Sequence, residues 1–451
     1  MNFKDKKILM MGVGGVGVSA LARLCKAEGA VVSGTDISNS LTVNKLKSEG
    51  FDILSESAVN VLNYDMVVHS NAVAETNQIL MKAKRDGIPV FKRGEVLAKI
   101  ISNNKSIAVT GSHGKTTITF LLGSILLISR DANYVYGGGM ESITQTNYIR
   151  GEGSWIVAEL DESDKTFLEA RPGITIIANL DFEHVDEYKD FAEQKEVFYK
   201  YINNLSPDSV LIINGDDVEL KNISEQHFKG KELICCGAHV SNNYQIKDFK
   251  NTDEGMEFDI IYVSHSWHVK LTLKGRHNAF NSLYAFVAAL KIGVDPDQII
   301  SALSCFKGVK RRMEVLKNLP GGGFLISDYG HHPTEISSVL DAYLERGQFV
   351  KLVAVFEGHR NSRVDFFLNE FCDALGKADK VVLVDLHTAY EKGDSESLLE
   401  NIRNNLGSKC VRVSNDLVVS YIEKNFNNGE IVIIFSAGKI DSIIRKGFKI
   451  C

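Results

Sequence analysis

The chain has 451 residues, of which 51 are Lys or Arg and 57 are Asp or Glu, so its formal net charge at pH 7 is -6. Such a chain is too long for one ordinary hydrophobic core, and we expect two to four domains. The acidic balance argues against a nucleic-acid-binding protein, which usually carries a basic excess. Hydrophobic residues at 44% and charged residues at 24% are typical of a soluble globular protein.

The number and spacing of the cysteines and the length of the apolar stretches indicate in which cellular compartment the protein lies. The seven cysteines form no Cys-x-x-Cys pair, and their odd number is unfavourable for a disulfide framework, so we predict free thiols in a reducing compartment. No stretch is long and apolar enough to span a membrane, and the first residues lead directly into a strand. We therefore expect a cytoplasmic protein, a monomer or homodimer, that binds neither membrane nor nucleic acid.

Residues 1–102 have the pattern of a nucleotide-binding domain. The apolar strand Ile8 to Met11 leads into the loop Gly12-Val13-Gly14-Gly15-Val16-Gly17 and a helix, and a second strand ends at Asp36. A glycine loop with an acidic residue about 20 positions later is the fingerprint of dinucleotide binding. The helix N-terminus can bind a diphosphate, and Asp36 can accept a hydrogen bond from a ribose or base. NAD and a UDP-sugar both have these parts, so this motif leaves the choice open.

A further strand, Met66 to Ser70, places Ser70 and Asn71 at a carboxyl end, where open α/β sheets bind their ligands. The short polar stretch Asn103 to Lys105 then predicts a linker into a second domain, residues 103–312.

The second domain opens with a predicted phosphate-binding loop. Ile107 to Thr110 suits a buried strand, a turn through Gly111 and Gly114 follows, and Lys115-Thr116-Thr117 begins an apolar helix. In such a loop backbone N–H groups converge on phosphate oxygens, the lysine supplies a positive charge, and the threonine hydroxyl can hold Mg²⁺. The loop is shorter than the usual pattern, so a generic strand–turn–helix corner is the alternative. That alternative leaves the Lys-Thr-Thr sequence unexplained.

Two acidic segments follow predicted strands of this domain. Glu159 ends the apolar strand that begins at Trp155, and a carboxylate downstream of a phosphate loop can hold Mg²⁺. A solvated acidic loop is the alternative for residues 159–164. After the strand Ile174 to Ala178, His184 stands between carboxylates, which favours a metal or phosphate contact over an ordinary surface histidine.

The rest of the second domain indicates adenine recognition. Alternating residues from about 232 to 275 predict short antiparallel strands, with His265 to His268 in a surface hairpin rather than a metal site. A helix then begins at His277, with Asn278 and Asn281 on one face. Two amides on one face can bind an adenine edge, although helix capping is an alternative role for Asn278.

Residues 313–451 predict a third α/β domain. The strands Phe324 to Ser327, Lys351 to Phe356, Val381 to Asp385 and Ile431 to Phe435 alternate with helical stretches. Pro333 is placed to begin a helix after a strand-end loop. His359, Arg360 and Arg363 follow the next strand and suggest a site for an anion or carboxylate, with a solvated surface as the alternative.

The predicted fold class is therefore α/β with three domains. The first and third are Rossmann-like, and the central one is a mostly parallel sheet of the P-loop ATPase type with a small antiparallel addition.

Together these motifs resemble the bacterial Mur ligases, in the family's order and over nearly the whole chain. The resemblance depends on residues 12–17, 110–117, 159–164, 181–186, 277–281, 311–312, 328–335 and 359–363. Residues 161–164, 329–332 and 359–363 are most similar to the members that add L-alanine. The resemblance implies ATP-dependent amide formation between L-alanine and the lactyl carboxylate of UDP-N-acetylmuramate, through an acyl phosphate, with Mg²⁺.

The resemblance also implies a role for individual residues. The implied catalytic residues are Lys115, Glu159, His184, Asn278 and Arg312. The implied ATP-binding residues are Gly111, Ser112, His113, Gly114, Lys115, Thr116, Thr117, His277, Asn278, Asn281, Arg312 and Asp328. The implied substrate-binding residues are Gly14, Gly15, Val16, Gly17, Asp36, Ser70, Asn71, Gly138, Glu162, Ser163, Tyr329, His331, His359, Arg360 and Arg363. The implied metal ligands are Thr116, Glu159 and His184.

Three other functions stay open at this point. A recycling ligase of the same family would add a whole tripeptide to the same UDP-sugar. An NAD-dependent oxidoreductase would account for the first glycine loop but would leave Lys115 to Thr117 unexplained. A non-catalytic relative is the third, although every expected catalytic residue type is present.

Overall fold

Three β-sheets, each with its own helices, follow one another along the chain. The computed structural model describes residues 3–136, 148–163, 165–183, 185, 187–252, 254–345, 351–389 and 391–450. The strands in these residues are β1 Lys7–Met11, β2 Val31–Thr35, β3 Asp52–Leu54, β4 Met66–His69, β5 Val90–Lys92, β6 Ser106–Thr110, β7 Ala132–Tyr136, β8 Tyr148–Arg150, β9 Trp155–Glu159, β10 Ile174–Ile177, β11 Val210–Asn214, β12 Glu232–Gly237, β13 Tyr244–Asn251, β14 Met256–Tyr262, β15 His265–Leu271, β16 Glu314–Asn318, β17 Phe324–Asp328, β18 Leu352–Glu357, β19 Lys380–Leu383, β20 Cys410–Arg412 and β21 Ile431–Ser436.

The helices connect these strands. They are α1 Val16–Ala27, α2 Leu41–Ser48, α3 Gln78–Arg85, α4 Arg93–Ser102, α5 Lys115–Ile128, α6 Phe191–Asn203, α7 Val218–His227, α8 Arg276–Lys291, α9 Pro296–Cys305, α10 Pro333–Leu344, α11 Asn361–Phe366, α12 Leu368–Leu375, α13 Ser395–Leu406, α14 Val418–Asn425 and α15 Ile440–Gly447. None of the helices in the described ranges combines the length and the apolar character that crossing a membrane requires.

The first sheet has the order β3-β2-β1-β4-β5, and its neighbouring strands are parallel. The second has the order β15-β14-β13-β12-β11-β10-β6-β9-β7-β8. Its centre is parallel, whereas β13-β14-β15 and β7-β8 pair antiparallel. The third has the order β16-β17-β21-β18-β19-β20, parallel except for the antiparallel pair β16-β17. The predicted three-domain α/β fold is confirmed, while the boundaries at residues 102 and 312 stay predictions.

The apolar strands of the central sheet are buried on both faces, which is why they lack clean alternation in sequence. In β6, Ile107 and Val109 belong to a core under α5 and α8, whereas Ala108 belongs to a core shared with the N-terminal sheet. The shared core also contains Leu21 of α1 and Phe198 of α6. The N-terminal and central sheets are therefore joined by apolar packing.

Two strands of the third sheet were not predicted, and one predicted strand is shorter. β16 is an edge strand of mostly exposed or half-exposed residues, and β20 has only three residues, so neither has a buried apolar run. The strand predicted from Val381 to Asp385 ends at Leu383, and the Asp385 carboxylate beyond it accepts hydrogen bonds from the Arg412 side chain and the Asn415 N–H. The cysteines that the structure describes are free thiols, as predicted.

Candidate active site

The phosphate loop lies at the centre of the second sheet because β6 is flanked by β9 and β10. These three parallel strands present their carboxyl ends together, so the loop, Glu159 and Asn179 meet at one edge. The turn takes backbone conformations that favour glycine, with φ of 117° at Gly111 and 82° at Gly114. The loop is held to β10 because the His113 N–H donates to Asn179 Oδ1 at 2.8 Å.

Gly111 has no room for a side chain. A Cβ there would lie 2.9 Å from the carbonyl oxygen of Asn179 and 3.0 Å from the amide nitrogen of Ala178. Gly87 also has positive φ, 74°, but a Cβ there would meet nothing within 4 Å. We expect Gly87→Ala to lower the free energy of unfolding by about 1–2 kcal/mol, the cost of a left-handed residue. Gly111→Ala should lower the free energy of unfolding by about 1–3 kcal/mol more than Gly87→Ala does, because its methyl group overpacks the site. Denaturant unfolding of both variants checks this, and equal losses would contradict it.

Lys115 points into the protein at the start of α5. Its Nζ donates to the carbonyl oxygens of Gly111 at 2.6 Å and Ser112 at 3.1 Å, and it pairs with both carboxylate oxygens of Glu162 at 2.9 and 3.0 Å. The Glu162 side chain is fully buried. Burial alone lowers the pKa of Lys115, but Glu162, Glu183 and Asp161 together raise it above its ordinary value, so the ammonium stays charged.

Thr116 and Glu159 lie side by side at the same edge. The Thr116 hydroxyl donates to the Glu159 carboxylate, at 3.1 and 3.2 Å from its two oxygens. A hydroxyl and a carboxylate supply the hard oxygen ligands that Mg²⁺ prefers, so this pair fits the predicted metal. His184, the third predicted ligand, and Gly138 lie outside the described residues.

Helix α8 covers the phosphate loop from the other side. The Asn281 amide donates to Asn278 Oδ1 at 3.1 Å, so the predicted shared face is observed. A Cβ on Gly114 would lie 2.7 Å from Asn281 Oδ1, which shows how closely the helix approaches. Burial, followed by the charge of Arg312, lowers the pKa of His277 to about 4, so its imidazole is neutral.

A small cavity of about 100 Å³ joins the second and third sheets. This cavity is lined by most of the residues predicted to bind ATP: His113, Gly114, Thr117, His277, Asn278, Asn281, Arg312 and Asp328. Asn278, Arg312 and Met313 also line a neighbouring cavity of about 820 Å³. A nucleotide bound there would therefore contact both domains.

On the side of the third sheet, Arg312 and Asp328 are held by hydrogen bonds. Arg312 donates to Glu335 at 3.2 Å. Asp328 accepts the N–H groups of Met313 at 2.8 Å and Gly330 at 2.7 Å. Burial nevertheless raises the pKa of Asp328 to about 6, and Arg312 only partly offsets this effect.

The residues predicted to bind the amino acid form one cluster at the ends of β17 and β18. His331 lies 5.3 Å from Tyr329 and 6.0 Å from His359, measured between ring centroids. An Arg363 N–H lies 3.4 Å from His359 Nδ1, and burial followed by nearby cations lowers the pKa of His359 to about 3, so this ring accepts. Arg360 has a positive φ of 68° beside them.

Buried carboxylates connect this cluster to the central sheet. Glu183 lies 3.2 Å from His331 Nε2 and 3.6 Å from an Arg363 nitrogen. In the opposite direction, Glu335 of α10 lies 3.7 Å from His113 Nδ1 of the phosphate loop. Each domain thus offers a carboxylate, buried in Glu183 and nearly buried in Glu335, to basic side chains of the other, in a closed arrangement.

The residues predicted to bind a diphosphate lie apart, on the N-terminal sheet. The Gly14 N–H donates to Asp36 Oδ2 at 2.8 Å, and Asp36 Oδ1 accepts from Ser38. A Cβ on Gly12 would lie 3.0 Å from Cβ of Ser70, so Ser70, which follows β4, lies against the glycine loop.

Several known proteins are similar in sequence to this chain over nearly its whole length. UDP-N-acetylmuramate–L-alanine ligase from Hydrogenobaculum sp. is 33% identical over 91% of this chain and 91% of its own, and the enzyme of that name from Carboxydothermus hydrogenoformans is 32% identical over 99% and 97%. Three family profiles match in succession: "Mur ligase family, catalytic domain" at residues 7–105, "Mur ligase middle domain" at 109–289 and "Mur ligase, glutamate ligase domain" at 311–438. This chain belongs to the Mur ligase family.

Solved Mur ligase structures share the fold. UDP-N-acetylmuramate-alanine ligase from Thermotoga maritima superposes with a TM-score of 0.82 at 24% identity, covering 98% of both chains. A murein peptide ligase from Psychrobacter arcticus gives 0.72 at 21% identity, also covering 98% of both chains. A further ligase of the fold, from Thermotoga maritima, was solved in complex with ADP, with a TM-score of 0.61 at 16% identity and coverage of 86% and 88%.

Sequence reasoning missed the buried residues that hold this Mur ligase site together. Glu183 and Glu335 lie inside motifs that were recognised, but their acidic side chains gave no sign of facing the other domain. Gln194 of α6 donates to the Asp181 carbonyl oxygen at 2.9 Å and accepts from the Glu183 N–H at 3.1 Å. A glutamine within a helix has no local signature for such a role.

Proposed function

We propose that this chain joins L-alanine to UDP-N-acetylmuramate at the expense of ATP, in the synthesis of peptidoglycan precursors. The observation that carries the proposal is the cavity in which the phosphate loop and α8 face Arg312 and Asp328 of the C-terminal side. The similarity to alanine ligases over more than nine-tenths of the chain supports the substrates. The cytoplasm, where a nucleotide-linked precursor and ATP are both present, is the compartment that we propose.

The reaction has two steps. The lactyl carboxylate of UDP-N-acetylmuramate attacks the γ-phosphorus of ATP, which gives an acyl phosphate and releases ADP. The amine of L-alanine then attacks the acyl carbon, inorganic phosphate leaves, and the nitrogen loses a proton to leave a neutral amide. Phosphorylation must come first because a carboxylate is a poor electrophile. Phosphoryl transfer asks the protein chiefly for positioning and neutralisation of charge.

We assign the phosphate contacts to the loop between β6 and α5. Its N–H groups cradle the phosphates at the start of α5, and Lys115 supplies positive charge at the β- and γ-phosphates. To do so its Nζ must exchange its contacts with Glu162 and the loop carbonyls for phosphate oxygens. Asn278, Asn281 and His277 hold adenine, while Arg312 and Asp328 contact ATP from the other side of the cavity.

We assign a Mg²⁺ ion to Thr116 and Glu159, with His184 as a ligand of a second ion. When bound, Mg²⁺ neutralises charge on the phosphate oxygens. The protein contributes the Thr116 hydroxyl and the Glu159 carboxylate, which already lie 3.1 Å apart.

The remaining substrate groups are assigned to the two outer domains. Gly14 to Gly17, Asp36, Ser70 and Asn71 bind the UDP part at the N-terminal sheet, with Gly138, Glu162 and Ser163 nearer the sugar. Tyr329, His331, His359, Arg360 and Arg363 surround L-alanine, with an arginine pairing its carboxylate. Substrate parts held by three domains require the C-terminal domain to open and close in each turnover.

A substrate panel tests the function. We expect phosphate release from ATP with UDP-N-acetylmuramate and Mg²⁺ to depend on L-alanine, and we expect no response to the tripeptide that a recycling ligase would use. Release with tripeptide alone would identify the recycling ligase. Binding of NAD(H) in place of the UDP-sugar would instead support the oxidoreductase.

A further inference from the structure

A cluster of metal-binding side chains lies where the phosphate loop meets the C-terminal domain. It consists of His113 in the loop, Asp181 after β10 and His332 just before α10, each with a ligand atom within 4.8 Å of the others. His113 Nε2 is 3.0 Å and His332 Nδ1 is 3.7 Å from Asp181 Oδ2. We propose that this cluster binds one transition-metal dication of the zinc class and thereby ties the central and C-terminal domains together.

The distances suit such an ion. With bonds of 2.0–2.2 Å in a tetrahedral site, ligand atoms lie about 3.4 Å apart. The two separations from Asp181 bracket this value, and the ligand atoms of the two histidines lie within 4.8 Å of each other. A carboxylate oxygen has two lone pairs, so Asp181 Oδ2 can retain the hydrogen bond that it accepts from the Thr334 hydroxyl at 2.7 Å.

Two carboxylates lie near the second ring nitrogen of His113. A ligating imidazole normally donates its second N–H to a carboxylate. His113 Nδ1 faces Glu335 at 3.7 Å and Glu183 at 3.8 Å. The Asp181 carboxylate is oriented from its other side, because the Phe182 N–H donates to Oδ1 at 2.9 Å.

Each ring would bind the ion through the nitrogen that faces Asp181, His113 Nε2 or His332 Nδ1, so its other nitrogen carries the N–H. Among the described residues, those other nitrogens, His113 Nδ1 and His332 Nε2, are buried without a hydrogen-bond partner. The rings lie 4.8 Å apart between centroids. The His332 side chain is only 4% exposed, whereas Asp181 is 36% exposed and leaves an open side for entry and a water ligand.

The donor set separates this cluster from the Mg²⁺ pair proposed above. Two imidazoles and one carboxylate favour zinc, cobalt or nickel, whereas Thr116 and Glu159 offer only oxygen. The two sets are also formed by different parts, because only the histidine cluster includes a residue of the C-terminal domain. Occupancy would therefore hold the domains closed, and it would slow a turnover that requires them to open.

The test uses the full chain with excess Mg²⁺ and no nucleotide, titrated with Co²⁺ and then Zn²⁺. We expect one Co²⁺ per chain with the visible absorption of tetrahedral coordination, displaced by one equivalent of Zn²⁺. His332→Gln should weaken binding by at least about tenfold. His268→Gln is the matched control, since His268 forms an exposed pair with Asp259 at 2.8 Å outside the cluster and should leave binding unchanged.

Thermal unfolding first establishes that His332→Gln is folded, and Asp181→Asn replaces it if it is not. Unchanged metal affinity in the folded variant, or displacement of Co²⁺ by Mg²⁺, would overturn the proposal. The titration measures binding alone, so its outcome does not depend on whether the proposed ligase activity is correct.

Discussion

Lys115→Met is expected to abolish ligase turnover while leaving UDP-sugar binding intact. The methionine keeps the volume of the lysine but removes the charge that the phosphate loop offers to ATP. Removal of one preorganised electrostatic contact in an active site typically costs about 10²–10³ in kcat. The loss of kcat in Lys115→Met should lie at the upper end of this range, because the Lys115 ammonium is buried and stays fully charged. Phosphate release measures the loss, and calorimetry with the UDP-sugar measures the binding that should survive.

The substitution also removes the cation that pairs with the fully buried Glu162. Breaking a buried ion pair by removing one partner costs about 3–5 kcal/mol, so lost stability could be mistaken for lost catalysis. The double variant Lys115→Met/Glu162→Gln separates the two effects, since it removes both charges. We expect it to recover stability over the single variant and to stay inactive. Recovery of turnover with recovered stability would contradict the phosphate role of Lys115.

Glu159→Gln is expected to raise the Mg²⁺ concentration needed for half-maximal activity by about 10- to 100-fold, with a large fall in kcat. A loss of about 10- to 100-fold is typical when a residue that orients a metal ligand is replaced. Replacing a direct ligand such as Glu159 should weaken Mg²⁺ binding by at least as much. The amide can still accept from the Thr116 hydroxyl, which now lies 3.1 Å away, so local packing should be kept. The charge that attracts the cation is lost.

The matched control is Glu152→Gln, an exposed glutamate before the opposite end of the same strand. It removes an equal charge and should leave the Mg²⁺ dependence unchanged. A Mg²⁺ titration of phosphate release compares the two variants with the parent protein. A normal Mg²⁺ requirement in Glu159→Gln would remove Glu159 from the metal site and leave Thr116 and His184 as the remaining proposed ligands.

The closed arrangement gives these substitutions a structural context. Glu183 is buried and Glu335 nearly buried between the domains, and they lie close to His331, Arg363, Arg312 and His113. Burying carboxylates is unfavourable unless cations or donors surround them. The contacts that cross between the domains, from Glu183 to His331 and Arg363 and from Glu335 to His113, therefore hold only while the domains are together. This couples closure to the correct placement of the ATP-binding and alanine-binding side chains.

The local elements were determined by the sequence alone, because short-range chemistry specifies them. Buried parallel strands need continuous apolar runs such as Ile107 to Thr110, glycine is favoured where φ is positive, and Pro333 starts a helix. These signals predicted the phosphate loop and the three-domain α/β fold. They also placed Glu159 at a strand end, where ligands bind.

Only the tertiary structure decided which strand ends meet and which charges face each other. The order β10-β6-β9 brings Thr116 to Glu159, and the closed domains bring His113 to Asp181 and His332. The edge strand β16 also escaped prediction, since its pairing with β17 depends on a partner rather than on its own burial. Contacts between residues far apart in the chain leave no periodic pattern in either segment. The chemistry of such residues can be inferred only from the tertiary structure, which brings them together.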